Sequence, residues 1–107
     1  MSDAPLVTDN REDSRFELTA DSHRAELTYR LRGGRLVLRH TSVPAAIERR
    51  GYAGQLVEAA VARAAADGLT VVPLCPFARV WLERNPAAAA TVTVDWGDQP
   101  PAPPPAG

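Results

Sequence analysis

Apolar and polar residues alternate with a period of two near the start of the chain and change to a helical period in its middle. Phe16 and Leu18 lie between charged or polar neighbours, which predicts a first strand. Over Arg24–Leu31, Ala25, Leu27, Tyr29 and Leu31 share one face while Glu26, Thr28 and Arg30 share the other. That is the pattern of a half-buried strand. Gly33-Gly34 then supplies two residues for which positive φ costs little, so a tight hairpin is expected. The returning strand, Arg35–Thr41, places Leu36, Leu38 and His40 on one face, and His40 therefore reads as a core histidine. Three antiparallel strands in succession follow from this half.

The pattern changes at Val43. Pro44 cannot donate to a ladder, so 44–49 reads as a loop or short turn. From Gly51 or Tyr52 to Asp67 the chain is helical: Val57, Val61 and Ala64 share a face with Ala60 beside them, and Glu58 and Arg63 lie opposite. Gly68 stands where a left-handed residue ends a helix. Leu69–Leu74 is a short apolar run of the kind found in strands buried on both faces. Cys75-Pro76 ends it, and Pro76 suits the first turn of a second helix, Phe77–Arg84, which stops near Asn85-Pro86. Thr91–Trp96 has β-type residues and is a candidate last strand. The order strand, strand, strand, helix, strand, helix implies an α/β protein with a mixed sheet. The strands flanking the first helix should lie parallel, joined by a right-handed crossover.

A chain of 107 residues is expected to form one domain. Residues 1–14 read as a flexible leader, 15–86 as the domain, and 87–107 as an extension that is proline-rich and disordered from about 99. The 12 basic and 13 acidic residues give a net charge of −1, which argues against a general nucleic-acid binder. The single cysteine, Cys75, excludes an intramolecular disulfide and suits a reducing compartment. The polar, acidic N-terminus is unlike a secretory signal, and no apolar run is long enough to span a membrane, so a cytoplasmic protein is expected. One cysteine and two scattered histidines make no metal-site spacing.

Three places could carry chemistry. Glu48-Arg49-Arg50-Gly51-Tyr52-Ala53 precedes and opens the long helix. Amides at a helix start lack internal partners and the helix dipole makes that end positive, so an anion is held there by main chain alone. Gly51 removes a Cβ from the approach, and Arg49 and Arg50 add charge. A glycine-assisted loop flanked by solvated arginines meets the same spacing. Cys75 ends a strand and precedes a helix, where a thiolate is favoured and could act as nucleophile or proton donor; a buried thiol filling space is the alternative. His40 can exchange protons near neutral pH, against its reading as a satisfied core residue.

Taken in order, these stretches resemble the GNAT N-acetyltransferases, whose motif is Gln or Arg, two variable residues, Gly, one variable residue, then Gly or Ala. Glu48–Ala53 matches its last three positions and departs at the first. His40–Pro44, Glu48–Val57 and Val71–Pro86 resemble, in order and spacing, the small single-domain GNAT-like proteins with a cysteine after the post-helix strand. The resemblance implies acetyl-CoA as cofactor and an amine, of a small molecule or a protein, as acceptor. It implies that amides around Arg49–Gly54 hold the pyrophosphate, with Glu48, Arg50, Pro76 and Phe77 nearby, and that the strand near Val43 pairs with the pantetheine arm. It implies a gap between the parallel strands for the thioester, with Cys75 in the catalytic position. An amine that attacks a thioester must lose a proton, and His40 and Glu48 are the nearest candidates for the base. A CoA-binding module with little turnover is the second reading, and a Cys75–His40 hydrolase a third.

Overall fold

The structure, a computed structural model, describes residues 6–97. The disorder expected from about 99 falls outside that range. One six-stranded sheet runs in sequence order: β1 (Thr8–Asn10), β2 (Arg15–Ala20), β3 (His23–Arg32), β4 (Arg35–Ser42), β5 (Thr70–Pro73) and β6 (Thr93–Val94). The pairs β1–β2, β2–β3 and β3–β4 are antiparallel, and β4–β5 and β5–β6 are parallel. A short 3₁₀ turn (Ala45–Ile47) and α1 (Tyr52–Asp67) connect β4 to β5. Helices α2 (Pro76–Arg84) and α3 (Pro86–Ala89) follow β5.

The two periodicities meet in one core. Phe16, Leu18, Leu27, Tyr29, Leu36, Leu38 and Val71 project from the sheet against Leu56, Val57, Ala60, Val61 and Ala64 of α1, and Ala78 and Leu82 of α2. The alanines of α1 let its backbone lie close to the strands. Each large aliphatic side chain fully buried there stabilises the fold by about 1.5–3 kcal/mol. Among the described residues the helices cover one face only. The alternate residues of the strands, Thr28, Arg30, Val37 and Val72 among them, form an uncovered face.

Four expectations need correction or extension. Residues 8–10, read as part of a leader, form the edge strand β1. Asp9 accounts for it: its carboxylate accepts from the Tyr29 hydroxyl at 2.7 Å and pairs with Arg63 Nη1 at 2.9 Å. Arg63 Nη1 also donates to the Tyr29 oxygen at 2.6 Å, so this arginine is drawn onto the sheet edge rather than out to solvent. The extension beyond 86 contains α3 and β6, and β6 occupies only Thr93–Val94 of the expected Thr91–Trp96. Strand β5 is not buried on both faces: Val72 is half-buried and Leu74, just beyond it, is 65% exposed.

The fourth correction matters most for the site. Tyr29 pairs with Leu38, but its neighbour Thr28 pairs with His40, so Arg39 is an extra residue in β4. Such a bulge shifts the alternation by one. Thr41, opposite Leu27, takes the inward face, and His40 is exposed on the uncovered one. His40 is therefore not a core histidine.

Candidate functional site

Two strands that part and a helix that starts uncapped define the site. Strands β4 and β5 pair from Arg35↔Thr70 to Leu38↔Pro73 and go no further. Pro73 has no N–H to continue the ladder, and the Arg39 bulge bends β4 at the same level. The Leu38 carbonyl accepts from both Leu74 N and Cys75 N, each at 3.0 Å, and closes the apex of the fork. Beyond it β4 runs on to Ser42 without β5 beside it.

The opening of α1 lies beside this fork. Its N-cap is Gly51, with φ +80° and ψ +10°, a left-handed conformation that glycine adopts without strain. Arg49, two residues earlier, also has positive φ, +63°. No side chain caps the helix start and no acidic residue stands in its first turn. No side chain therefore satisfies the free amides at the positive end of the dipole, although Glu48 is among the residues that line the space in front of them. A Cβ built on Gly51 would meet nothing within 4 Å, so the approach is open.

Val43, Glu48, Arg49, Gly51, Tyr52, Ala53, Gly54 and Phe77 surround one concavity of about 290 Å³ there. Ile47, which the sequence reading passed over, completes it; it is the one large apolar residue between Pro44 and Gly51, and it is buried. Arg50 and Pro76 are elsewhere. Arg50 turns to Asp21 in the β2–β3 turn at 2.6 Å and to the Ala46 carbonyl at 3.4 Å. Gly54 serves a second purpose, since a Cβ there would lie 3.0 Å from Trp81 Nε1; its absence lets α2 pack against α1.

Cys75 is the N-cap of α2, only 3% exposed, with its sulfur 3.0 Å from Thr41 Oγ1 in a shared hydrogen bond. The contact exists because the bulge turns Thr41 inward. Cys75 and His40 are thus not brought together: one lies in the wall of the fork and the other on the uncovered face. Pro76 lines a second groove of about 410 Å³, with Val72, Pro73, Leu74, Arg79, Asp95, Trp96 and Gly97. Arg79 stacks on the Trp96 ring at 5.3 Å and donates to the Trp96 carbonyl at 3.0 Å, and Asp95 pairs with Arg35. The sequence offered Trp96 only as part of a candidate strand. An aromatic residue and an acid just beyond a β-type run were the available signal.

The segment 73–77 separates the two concavities, with Phe77 facing the first and Pro73, Leu74 and Pro76 the second. The arrangement offers main-chain donors for an anion on one side, an opened strand edge in the middle, and a partly apolar groove on the other. Among the described residues, no helix is long and apolar enough to cross a membrane. No curated protein matches the chain. Residues 15–92, from β2 to the residue before β6, match the sequence model of a family described as GCN5-related N-acetyl-transferase.

Proposed function

The chain belongs to the GCN5-related N-acetyltransferase family, and on that premise we propose that it moves an acetyl group from acetyl-CoA to an amine. The observation that carries this reading is the uncapped, Gly51-led start of α1 facing a concavity beside parted strands. The donor set fits the cofactor. Amides of Tyr52, Ala53 and Gly54, with Arg49 at the rim, suit a pyrophosphate. The edge of β4 beyond Leu38, toward Val43, suits the amides of a pantetheine arm. Acetyl-CoA supplies the acetyl group as a thioester.

The protein's own residues have two tasks. The acceptor nitrogen must lose a proton to attack and to become an amide. His40, exposed on the uncovered face and two residues past Leu38 at the fork apex, is assigned as the group that takes it. The departing sulfur must gain a proton, and Cys75 is assigned as its donor, resupplied through Thr41 Oγ1. A second reading has support in the burial of Cys75: a CoA-binding module in which the thiol only fills space.

Thermal unfolding with acetyl-CoA tests the cofactor assignment. A ligand at a hundred times its Kd adds about 2.7 kcal/mol to stability, so the midpoint should rise. No rise at saturating acetyl-CoA removes both readings. Thiol release in the presence of amines then separates enzyme from binder. Cys75→Ala should lose most of that release while keeping the thermal shift; full release in the variant would make Cys75 structural. A +acetyl mass adduct that disappears in Cys75→Ser would instead make the thiol the nucleophile.

A further inference from the structure

The uncovered sheet face has a charge that the chain as a whole lacks. The net charge is −1, yet arginines outnumber carboxylates on this face. Glu17 and Glu26 are already held by Arg15, at 2.7 and 3.5 Å, and Asp95 is held by Arg35. Arg30, Arg32 and Arg39 are exposed and have no ion-pair partner among the described residues. Arg32 also faces Arg35 directly across the β3–β4 pair, a like-charge opposition that ordinarily destabilises a hairpin. Between these charges lie Val37, Val72 and Leu74, which leads into the groove of Asp95 and Trp96.

We propose that this face docks an acidic polypeptide segment, which presents its amine to the fork as the acetyl acceptor. The acceptor role rests on the transferase reading above; the docking does not. From Arg35 to Arg39 the strand covers about 13 Å at ~3.3 Å per residue. That is too long for one anionic group of a small molecule and fits several carboxylates spaced along an extended chain. The apolar positions between the arginines suit the side chains that alternate with them. Leu74 and Pro76, on either side of Cys75, both line that groove, so a segment lying along it passes beside the fork.

Two other occupants fit less well. Single-stranded nucleic acid would meet the arginines, but the strands offer no aromatic residue on this face, and Trp96 in the adjoining groove, already stacked by Arg79, is one platform and not a run of them. A second copy of the chain, docked through a two-fold axis, would set this basic face against itself.

The test uses the full chain without acetyl-CoA and three labelled probes in fluorescence anisotropy. These are a twelve-residue Glu-rich peptide with one central lysine, its Gln-substituted counterpart, and an RNA oligonucleotide of equal charge. The Glu-rich peptide should bind at least tenfold more tightly than the Gln peptide, weaken with salt, and lose at least tenfold in Arg30→Glu/Arg32→Glu/Arg39→Glu. That variant should keep its acetyl-CoA shift and melt no lower than the wild type, because Arg32→Glu relieves the opposition to Arg35 and none of the three residues touches the helix start. Equal binding of the two peptides, tighter binding of RNA, an unchanged Kd in the variant, or a dimer in sedimentation that hides the face would overturn the proposal. With acetyl-CoA added, the lysine should become acetylated. If the peptide binds but is never acetylated while acetyl-CoA still shifts the melting point, the docking stands and the acceptor role fails. If acetyl-CoA itself gives no shift, the transferase reading is what has failed.

Discussion

The antiparallel half of the sheet and the crossover half treat their polar groups in opposite ways. From β1 to β3 the side chains engage one another: Asp9, Tyr29 and Arg63 share three contacts between 2.6 and 2.9 Å, with Asp9 Oδ2 held by charge and not by a hydrogen bond, and Arg15 gathers Asp13, Glu17 and Glu26. From β4 to α2 the backbone is left unsaturated. The strands separate after Leu38, and α1 begins with no capping side chain. A buried donor without a partner costs about 1–3 kcal/mol, so unfilled donors persist only where solvent or a ligand reaches them. The first half therefore reads as the part that holds the fold, and the second is the part to which the proposal assigns binding.

The largest perturbation should erase the distinction. Leu56 is fully buried where α1 meets the sheet. Leu56→Ala should cost about 2–5 kcal/mol in denaturant unfolding and take the acetyl-CoA shift with it through loss of folded protein. A loss below about 1 kcal/mol would show that the two halves do not share one core.

Tyr29→Phe should split the halves. It removes the hydroxyl's contacts to Asp9 and Arg63, which keep their own ion pair, and should cost about 1–3 kcal/mol, with the acetyl-CoA Kd unchanged. Burial, and next the Asp9 carboxylate, hold the Tyr29 proton above its ordinary range. A raised folded pKa means that stability is full below the unfolded value, about 10, and is lost as pH rises from there through the folded value. The wild type should lose stability on that alkaline limb, and Tyr29→Phe should lack the decline. A change in cofactor affinity would break the comparison.

Gly51→Ala should reach both stability and binding. A non-glycine residue in the left-handed region costs about 1–2 kcal/mol of stability. Acetyl-CoA affinity should fall about tenfold as the helix start is displaced, read by the thermal shift against ligand concentration. Unchanged affinity would separate the left-handed N-cap from binding.

The smallest effect belongs to Glu17→Gln. The hydrogen bond from Arg15 holds the Glu17 carboxyl below its usual range. Its contribution is present above about pH 4.3 and disappears as pH falls through the folded value. For so accessible a pair about 0.2–1 kcal/mol is expected, visible as a flatter acid limb.

Much of this was legible in residues alone. Alternation placed β2, β3 and most of β4, the period of α1 named Val57, Ala60, Val61 and Ala64 as core, and Gly68 and Pro76 marked the ends they terminate. The Gly51 opening was visible because a left-handed helix start leaves its mark in sequence as glycine, here beside basic residues. Arg50 carried the same mark but turned to Asp21, since an exposed arginine takes whichever carboxylate the fold brings near. β1 stayed hidden because three residues carry too little pattern, and its anchor, Asp9 to Arg63, spans most of the domain.

The sequence by itself determined the local elements, the open helix start and the family signature, since each depends on residues close along the chain. Tertiary structure decided the Arg39 bulge, and with it the inward turn of Thr41 to Cys75, the outward turn of His40, and the basic uncovered face. The reason lies in register. Which way a side chain points depends on how its strand aligns with partners far away in sequence, and one extra residue reverses it.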